Sequence, residues 1–176
     1  MNIKAMTMFL SEDNIKKHIE HLNEQRLKLS ILEKSAEGLK GKSLSEIIKL
    51  DLNKDIKTEA INLLWYIKTH ELFFDSFSEE QKRCKSVERY SGSAQSFGYY
   101  IYTEAMKYNI GFLFVYLNCK GRPVARYSDG FDGAFVKYEP RLVIDLYEHA
   151  YFADYGFKKD KFLSSAICRL DLSKLS

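Results

Sequence analysis

Two stretches in the first half of the chain repeat apolar residues at helical spacing, and each carries a histidine on its apolar side. The first opens at Ser11, a good N-cap, with Glu12 and Asp13 following at the positive end of the helix dipole. Ile15, Ile19, Leu22 and Leu29 then make a stripe, and His18 falls on it rather than on the charged face. The second stretch follows the Asn53-Lys54-Asp55 turn, and Ala60, Leu63, Leu64, Ile67, His70 and Phe74 share one side. Gly38 and Gly41 interrupt the pattern between them, and Ser43 with Glu46 forms a capping box for a short helix through Leu50. The expected arrangement is an antiparallel hairpin of two long helices with both histidines pointing inward.

The character changes after the polar stretch from Ser78 to Ser86. A Tyr-rich helix is predicted from Ser93 to Tyr108, closed by Asn109 and Gly111. Gly111 to Leu117 has the pattern of a buried strand, and Asn118-Cys-Lys-Gly121 turns into a second strand near Val124 to Tyr127. Ser128 to Gly133 reads as a loop, and Arg141 to Asp145 as a third strand with the Asp at its end. One helix is expected from there to about Gly156, and another from Lys159 to Arg169. The predicted fold is therefore α+β. A helical-hairpin domain spans 1–82, and an α/β domain with a small three-stranded antiparallel sheet spans 83–176.

Composition removes several function classes. With 45% hydrophobic and 14% aromatic residues, the 176-residue chain can build a core and is not of disordered type. A net charge of +3 is too small to point to nucleic acid, and it barely supports steering of a small anion. The longest apolar run, Ile110 to Leu117, falls far short of the ~20 residues of a membrane span. The N-terminal apolar patch lacks a convincing cleavage site. Cys84, Cys119 and Cys168 are odd in number and form no C-x-x-C pair, so reduced thiols in a cytoplasmic protein are expected.

The chain has only four histidines, and three of them combine with one aspartate into a candidate metal set: His18, His70, Asp145 and His149. Taken singly, each has an ordinary reading. A His on an apolar helical stripe is commonly a hydrogen-bonded core residue, and Asp145 with His149 equally fits an interior salt bridge. Together they are stronger, because an inward carboxylate is costly alone, and imidazoles around a cation remove that cost. Such a set can hold one redox metal with a coordination position left open.

The stretch Pro140-Arg-Leu-Val-Ile-Asp145-Leu-Tyr147-Glu148-His149-Ala-Tyr151-Phe-Ala-Asp154-Tyr155 resembles the signature of the iron/manganese superoxide dismutase family. Leu10 to His18 and Thr69 to Phe74 are similar to the family's first- and second-helix ligand segments. The resemblance implies one iron or manganese ion per subunit, held by the four residues above with a bound water or hydroxide. It also implies superoxide as substrate and a homodimer in which Glu148 hydrogen-bonds the partner subunit's His149. On its own, Glu148 reads equally as a solvated helix charge.

The surroundings depart from the family pattern. The gateway Tyr is replaced by Arg26, the His four residues after the first ligand by Leu22, and the cross-interface Tyr by Phe152. Tyr147 stands for the signature Trp, and Gly111-Phe-Leu-Phe114 for the tryptophan-rich strand. Arg26 has two readings, a positive gate for superoxide or one more exposed helix Arg. The family sets a Gln against the metal-bound solvent, either from the second helix, where Tyr66 stands, or from a loop, where Asp129 aligns. The residues do not choose between Tyr66 and Asp129. His21, a turn after His18, is expected at the surface or an interface.

Superoxide dismutation at a mononuclear iron or manganese centre is the expected function. The alternatives are a divergent metal-binding homologue with weak or no turnover, and a protein in which a metal such as zinc only ties the two halves together.

Overall fold

The computed structural model describes residues 2–80 and 82–176. A short helix α1 (Ile3–Met6) precedes α2 (Glu12–Ser35), which begins where the Ser11 hydroxyl accepts the Asn14 N–H. Helix α3 (Leu44–Ile47) carries the predicted capping box in full, but it ends before Leu50 in hydrogen-bonded turns. Helix α4 (Lys54–Asp75) starts where the Asn53 side chain accepts the Asp55 N–H. The two long helices pack together as an antiparallel hairpin, with the stripe residues Ile15, His18, Leu22, Ala60, Leu64, Ile67 and His70 buried.

Besides α1, two helices escaped the sequence reading. Helix α5 (Lys85–Ser91) starts in what reads as a polar stretch; Val87 is its one buried residue, too little to set a periodic pattern. Helix α6 (Ala94–Ala105) ends before the predicted Tyr108, and the Lys159 ammonium donates to the freed carbonyls of Ala105 and Tyr108.

The sheet has the order β2-β1-β3, antiparallel throughout, with β1 (Phe112–Leu117) between β2 (Pro123–Ser128) and β3 (Leu142–Asp145). Every residue of β3 is buried, and so are Phe112 to Val115, which explains their unbroken apolar runs. The register sets Phe112 opposite both Ser128 and Asp145. The second missed helix, α7 (Ala134–Tyr138), fills the connection between β2 and β3.

The single helix expected after β3 does not form. Tyr147 is extended, a 3₁₀ turn covers Glu148–Ala150, and Tyr151 breaks the path before the one-turn helix α8 (Phe152–Tyr155). The cause is competition for backbone groups. The Asp145 carboxylate accepts the Tyr147 N–H at 2.9 Å, and Asn14 of α2 donates to the Ala150 carbonyl at 3.3 Å, drawing that carbonyl toward α2. Helix α9 (Lys159–Ile167) ends two residues short of Arg169, and a final 3₁₀ turn covers Leu172–Leu175. Fully buried Phe73, Phe74, Phe77, Phe97, Phe112 and Phe162 anchor a core that runs from the helices to the sheet.

Gly111, just before β1, has φ +92°, and a Cβ there would lie 2.7 Å from the Tyr127 ring and 2.9 Å from the Ser128 carbonyl. Its own carbonyl accepts the Leu146 N–H at 2.9 Å, beyond the end of β3. Gly111→Ala is therefore expected to destabilise the protein by more than about 1 kcal/mol, read as a lowered urea midpoint at unchanged slope.

Candidate metal centre

Each of the four sequence-selected residues reaches one point from a different piece of structure. His18 comes from α2, His70 from α4, Asp145 from the end of β3 and His149 from the 3₁₀ turn. Asp145 and His149 do not share a helical face, as a continuous helix would have arranged; the break in the chain turns His149 back over the strand end. The Nε2 atoms of His18, His70 and His149 lie 3.4, 3.4 and 3.2 Å from Asp145 Oδ2. All four donor atoms fall within 4.8 Å of one another. His18 stands edge-on to both other imidazoles, at 5.0 Å from His70 and 4.9 Å from His149. Phe73 and Phe74 pack around His18 at 5.3 and 5.1 Å.

These spacings fit ligands of one ion better than a set of hydrogen bonds. Donors held about 2.0–2.2 Å from a zinc-sized ion are themselves roughly 3–4 Å apart. Charge-assisted N–H···O bonds are shorter, about 2.7–2.9 Å. Among the described residues His18 Nε2, His70 Nε2 and Asp145 Oδ2 are buried with no hydrogen-bond partner. Buried polar atoms are rarely left so, and a cation satisfies all three at once. The His70 Nδ1 lies 2.9 Å from the Tyr66 carbonyl, an arrangement that puts its proton there and leaves the Nε2 lone pair facing the centre.

The electrostatics of His18 and Asp145 agree. Burial lowers the His18 pKa against the opposing pull of Asp145, so its imidazole is in the neutral, ligating form. Burial works against ionisation of Asp145, but the imidazoles of His149, His18 and His70 overcome it and hold the carboxyl well below its usual range. His149 is raised, because Asp145 outweighs the effect of its own burial. His149 is also the one member open to solvent, with 37% of its side chain exposed.

Residues 78–175, more than half of the chain, match the family model described as iron/manganese superoxide dismutases, C-terminal domain. The chain belongs to the iron/manganese superoxide dismutase family. A comparison with curated proteins found no match. The family match takes in Asp145, Glu148 and His149; His18 and His70 lie outside it and join the cluster only through the tertiary fold.

The predicted outer residues fare differently. Tyr147 lies flat against His149, with ring centroids 5.5 Å apart at 16°, and edge-on to Phe112. Tyr66 covers His70 at 3.9 Å, and its hydroxyl is buried without a partner among the described residues. Asp129 sits beside Tyr127, whose hydroxyl it helps to hold in the neutral form, and its carbonyl accepts the Tyr147 hydroxyl at 3.4 Å. Arg26 is neither a free positive gate nor a fully exposed side chain, since it pairs with Glu71 at 2.9 Å and Asn23 at 3.0 Å. Glu148 is exposed beside His149.

Two features had not been foreseen. His21 is half-buried, with its ring 5.6 Å from His149 and 5.7 Å from Tyr66. It helps line a cleft of about 660 Å³ with Gln25, Thr58, Asn62, Leu63 and Tyr66. The second is a clamp. Asp154 accepts the Ser11 N–H at 2.9 Å and the Asn14 amide at 3.0 Å, fastening α2 to the segment that carries His149. Asn14 and Asp154 carry no local motif that marks them as partners 140 residues apart.

Burial opposes ionisation of Asp154, and the bonds from Ser11 and Asn14 overcome it, leaving its pKa lowered. The clamp's contribution is thus present above the unfolded value of about 3.9 and is lost as pH falls through the lower folded value. Asp154→Ala is expected to lose about 0.5–1 kcal/mol at pH 7. In urea melts the gap from the unmodified protein should narrow as the pH is taken from 6 to 3.

Proposed function

We propose that this chain is a homodimeric cytoplasmic superoxide dismutase with one iron or manganese ion per subunit, held by His18, His70, Asp145 and His149. The observation that carries the reading is the convergence of four donor atoms within 4.8 Å, three of them buried and unpaired, in a member of this family. When bound, the ion supplies one-electron chemistry, by which one superoxide leaves as oxygen and a second, with two protons from solvent, as hydrogen peroxide.

The chain's own groups do the rest. Asp145 contributes the anionic donor, and three imidazoles hold it in place. The Tyr66 carbonyl fixes the orientation of His70, and Tyr147 limits solvent at one face of His149. Glu148 is assigned to the partner subunit's His149, where a carboxylate would fix the ring and raise its basicity. The exposure of His149 and Glu148 supports this assignment, as do the neighbouring Phe152 and Phe157, 43% and 89% exposed with rings 5.1 Å apart. A second copy covering that face would shield both the ligand and the aromatic pair. Free thiols at Cys84, Cys119 and Cys168 accord with a reducing compartment. No helix among the described residues is long and apolar enough to cross a membrane.

A second reading, a metal-binding homologue without efficient dismutation, is favoured by one observation. The charge that would stand at the gateway is bound by Glu71, which Lys68 also contacts at 2.9 Å. Metal analysis with a superoxide-consumption assay separates the two. The first predicts about one iron or manganese per subunit with rapid turnover. It further predicts that His70→Ala loses the metal and more than roughly 100-fold of the rate, beyond the cost of losing an outer partner. Iron or manganese without turnover leaves the second reading; zinc or no metal removes both. Sedimentation equilibrium is expected to give a dimer of the 20.6 kDa chain.

A further inference from the structure

We propose that Tyr108 and Tyr127 form an oxidation site at which hydrogen peroxide joins them as dityrosine, tying the end of α6 to β2. The proposal rests on the metal-site reading above, which supplies the peroxide and an ion able to activate it. Among the described residues their rings are the closest and most nearly parallel aromatic pair, with centroids 3.7 Å apart and planes within 2°. Aromatic pairs usually keep their centroids about 4.5–7 Å apart. Coupling of two phenoxyl radicals begins face to face, because the unpaired electron occupies the π system. The stack therefore presents the reacting faces before oxidation.

The pair is held from both sides. Tyr127 lies on β2 opposite Leu113 of β1, and its ring packs over Gly111, where a Cβ would come within 2.7 Å of it. Tyr108 follows α6, and the Lys159 ammonium donates to its carbonyl. Both side chains are half-buried, so solvent and peroxide reach them. Burial and the neighbouring Asp129 carboxylate raise the Tyr127 pKa, so the phenol is neutral before it is oxidised.

An aromatic path joins the pair to the centre. Tyr147 lies flat against His149 and is an electrostatic neighbour of Tyr127. The Gly111 backbone under the Tyr127 ring accepts the N–H of Leu146, the residue beside Tyr147. Trp65, the single tryptophan, is 5% exposed and packs against Phe112 and Phe114, which shields it from peroxide.

The chemistry balances with peroxide as the oxidant. Each phenol loses one electron and its hydroxyl proton. The radicals then join ortho carbon to ortho carbon, and the hydrogen on each of those carbons moves to its oxygen, restoring the phenols. Peroxide takes up the two electrons and two protons and leaves as two waters, with the ion unchanged overall.

The test treats the iron-loaded protein with hydrogen peroxide, after alkylation of its thiols, and maps the tryptic peptides by mass spectrometry. Peptides 108–120 and 127–137 are expected to be joined with loss of two hydrogen atoms, together with the blue fluorescence of dityrosine. Tyr108→Phe and Tyr127→Phe should each lose both signals while binding iron as before. The first variant also separates Tyr108 from Tyr116, which shares its peptide. Metal-free protein, oxidised by light with tris(bipyridine)ruthenium and persulfate, should give the same joined peptides. Joining of 108–120 to 138–141 instead would assign coupling to Tyr116 and Tyr138, stacked at 5.0 Å and 19°, and overturn the proposal. Coupling only between chains, or oxidation at Trp65 or the ligand histidines with the pair intact, would overturn it as well. Cross-linking by light but not by peroxide would overturn the peroxide route while leaving the metal site standing. Absence of iron and manganese from the unmodified protein would remove the metal reading and that route together.

Discussion

A single carboxylate organises this molecule. Asp145 is wholly buried at the end of a strand whose every residue is buried, and three imidazoles converge on its Oδ2. An isolated carboxylate in such a place would be too costly to keep ionised. The groups that relieve it come from α2, α4 and the turn after β3, so holding the charge requires the hairpin, the sheet and their connection to be in register together. Its second oxygen accepts the Tyr147 N–H and helps to set the break that swings His149 inward. The same residue thus carries the site's charge and shapes the backbone that completes the site.

Around this centre the polar groups fall into two kinds. Some have closed their hydrogen bonds within the protein: Arg26 on Glu71, the Tyr147 hydroxyl on the Asp129 carbonyl, and Asn14 with Ser11 on Asp154. These brace the helices and the sheet. Among the described residues, His18 Nε2, His70 Nε2 and Asp145 Oδ2 remain buried without partners where the three side chains meet, and the Tyr66 and Thr69 hydroxyls and His18 Nδ1 are buried and unpartnered as well. Unsatisfied groups gathered at one point mark where a ligand belongs, because packing would otherwise have paired them or left them in solvent.

How much could be read from the chain depended on the range of each interaction. The two long helices were legible because Ser11 and Asn53 cap them and their stripes extend over many turns. The three strands were legible because their burial produces apolar runs. Helices α5 and α7 were not, since short helices on a polar surface leave no periodic record. The break after Asp145 was missed because its causes, an aspartate bonding two residues on and an asparagine 136 residues distant, do not alter local periodicity.

By itself the sequence determined which residues can supply donors, that two of them ride on inward helical faces, and that a third stands at a buried strand end. Those properties follow from local spacing and from the cost of exposing apolar side chains. Only the tertiary structure decided that the four donors meet, that the Tyr66 ring lies over His70, and that Arg26 has its charge bound by a residue 45 positions away. Each of these depends on which surfaces pack together over long chain separations, and no short-range pattern encodes such a choice.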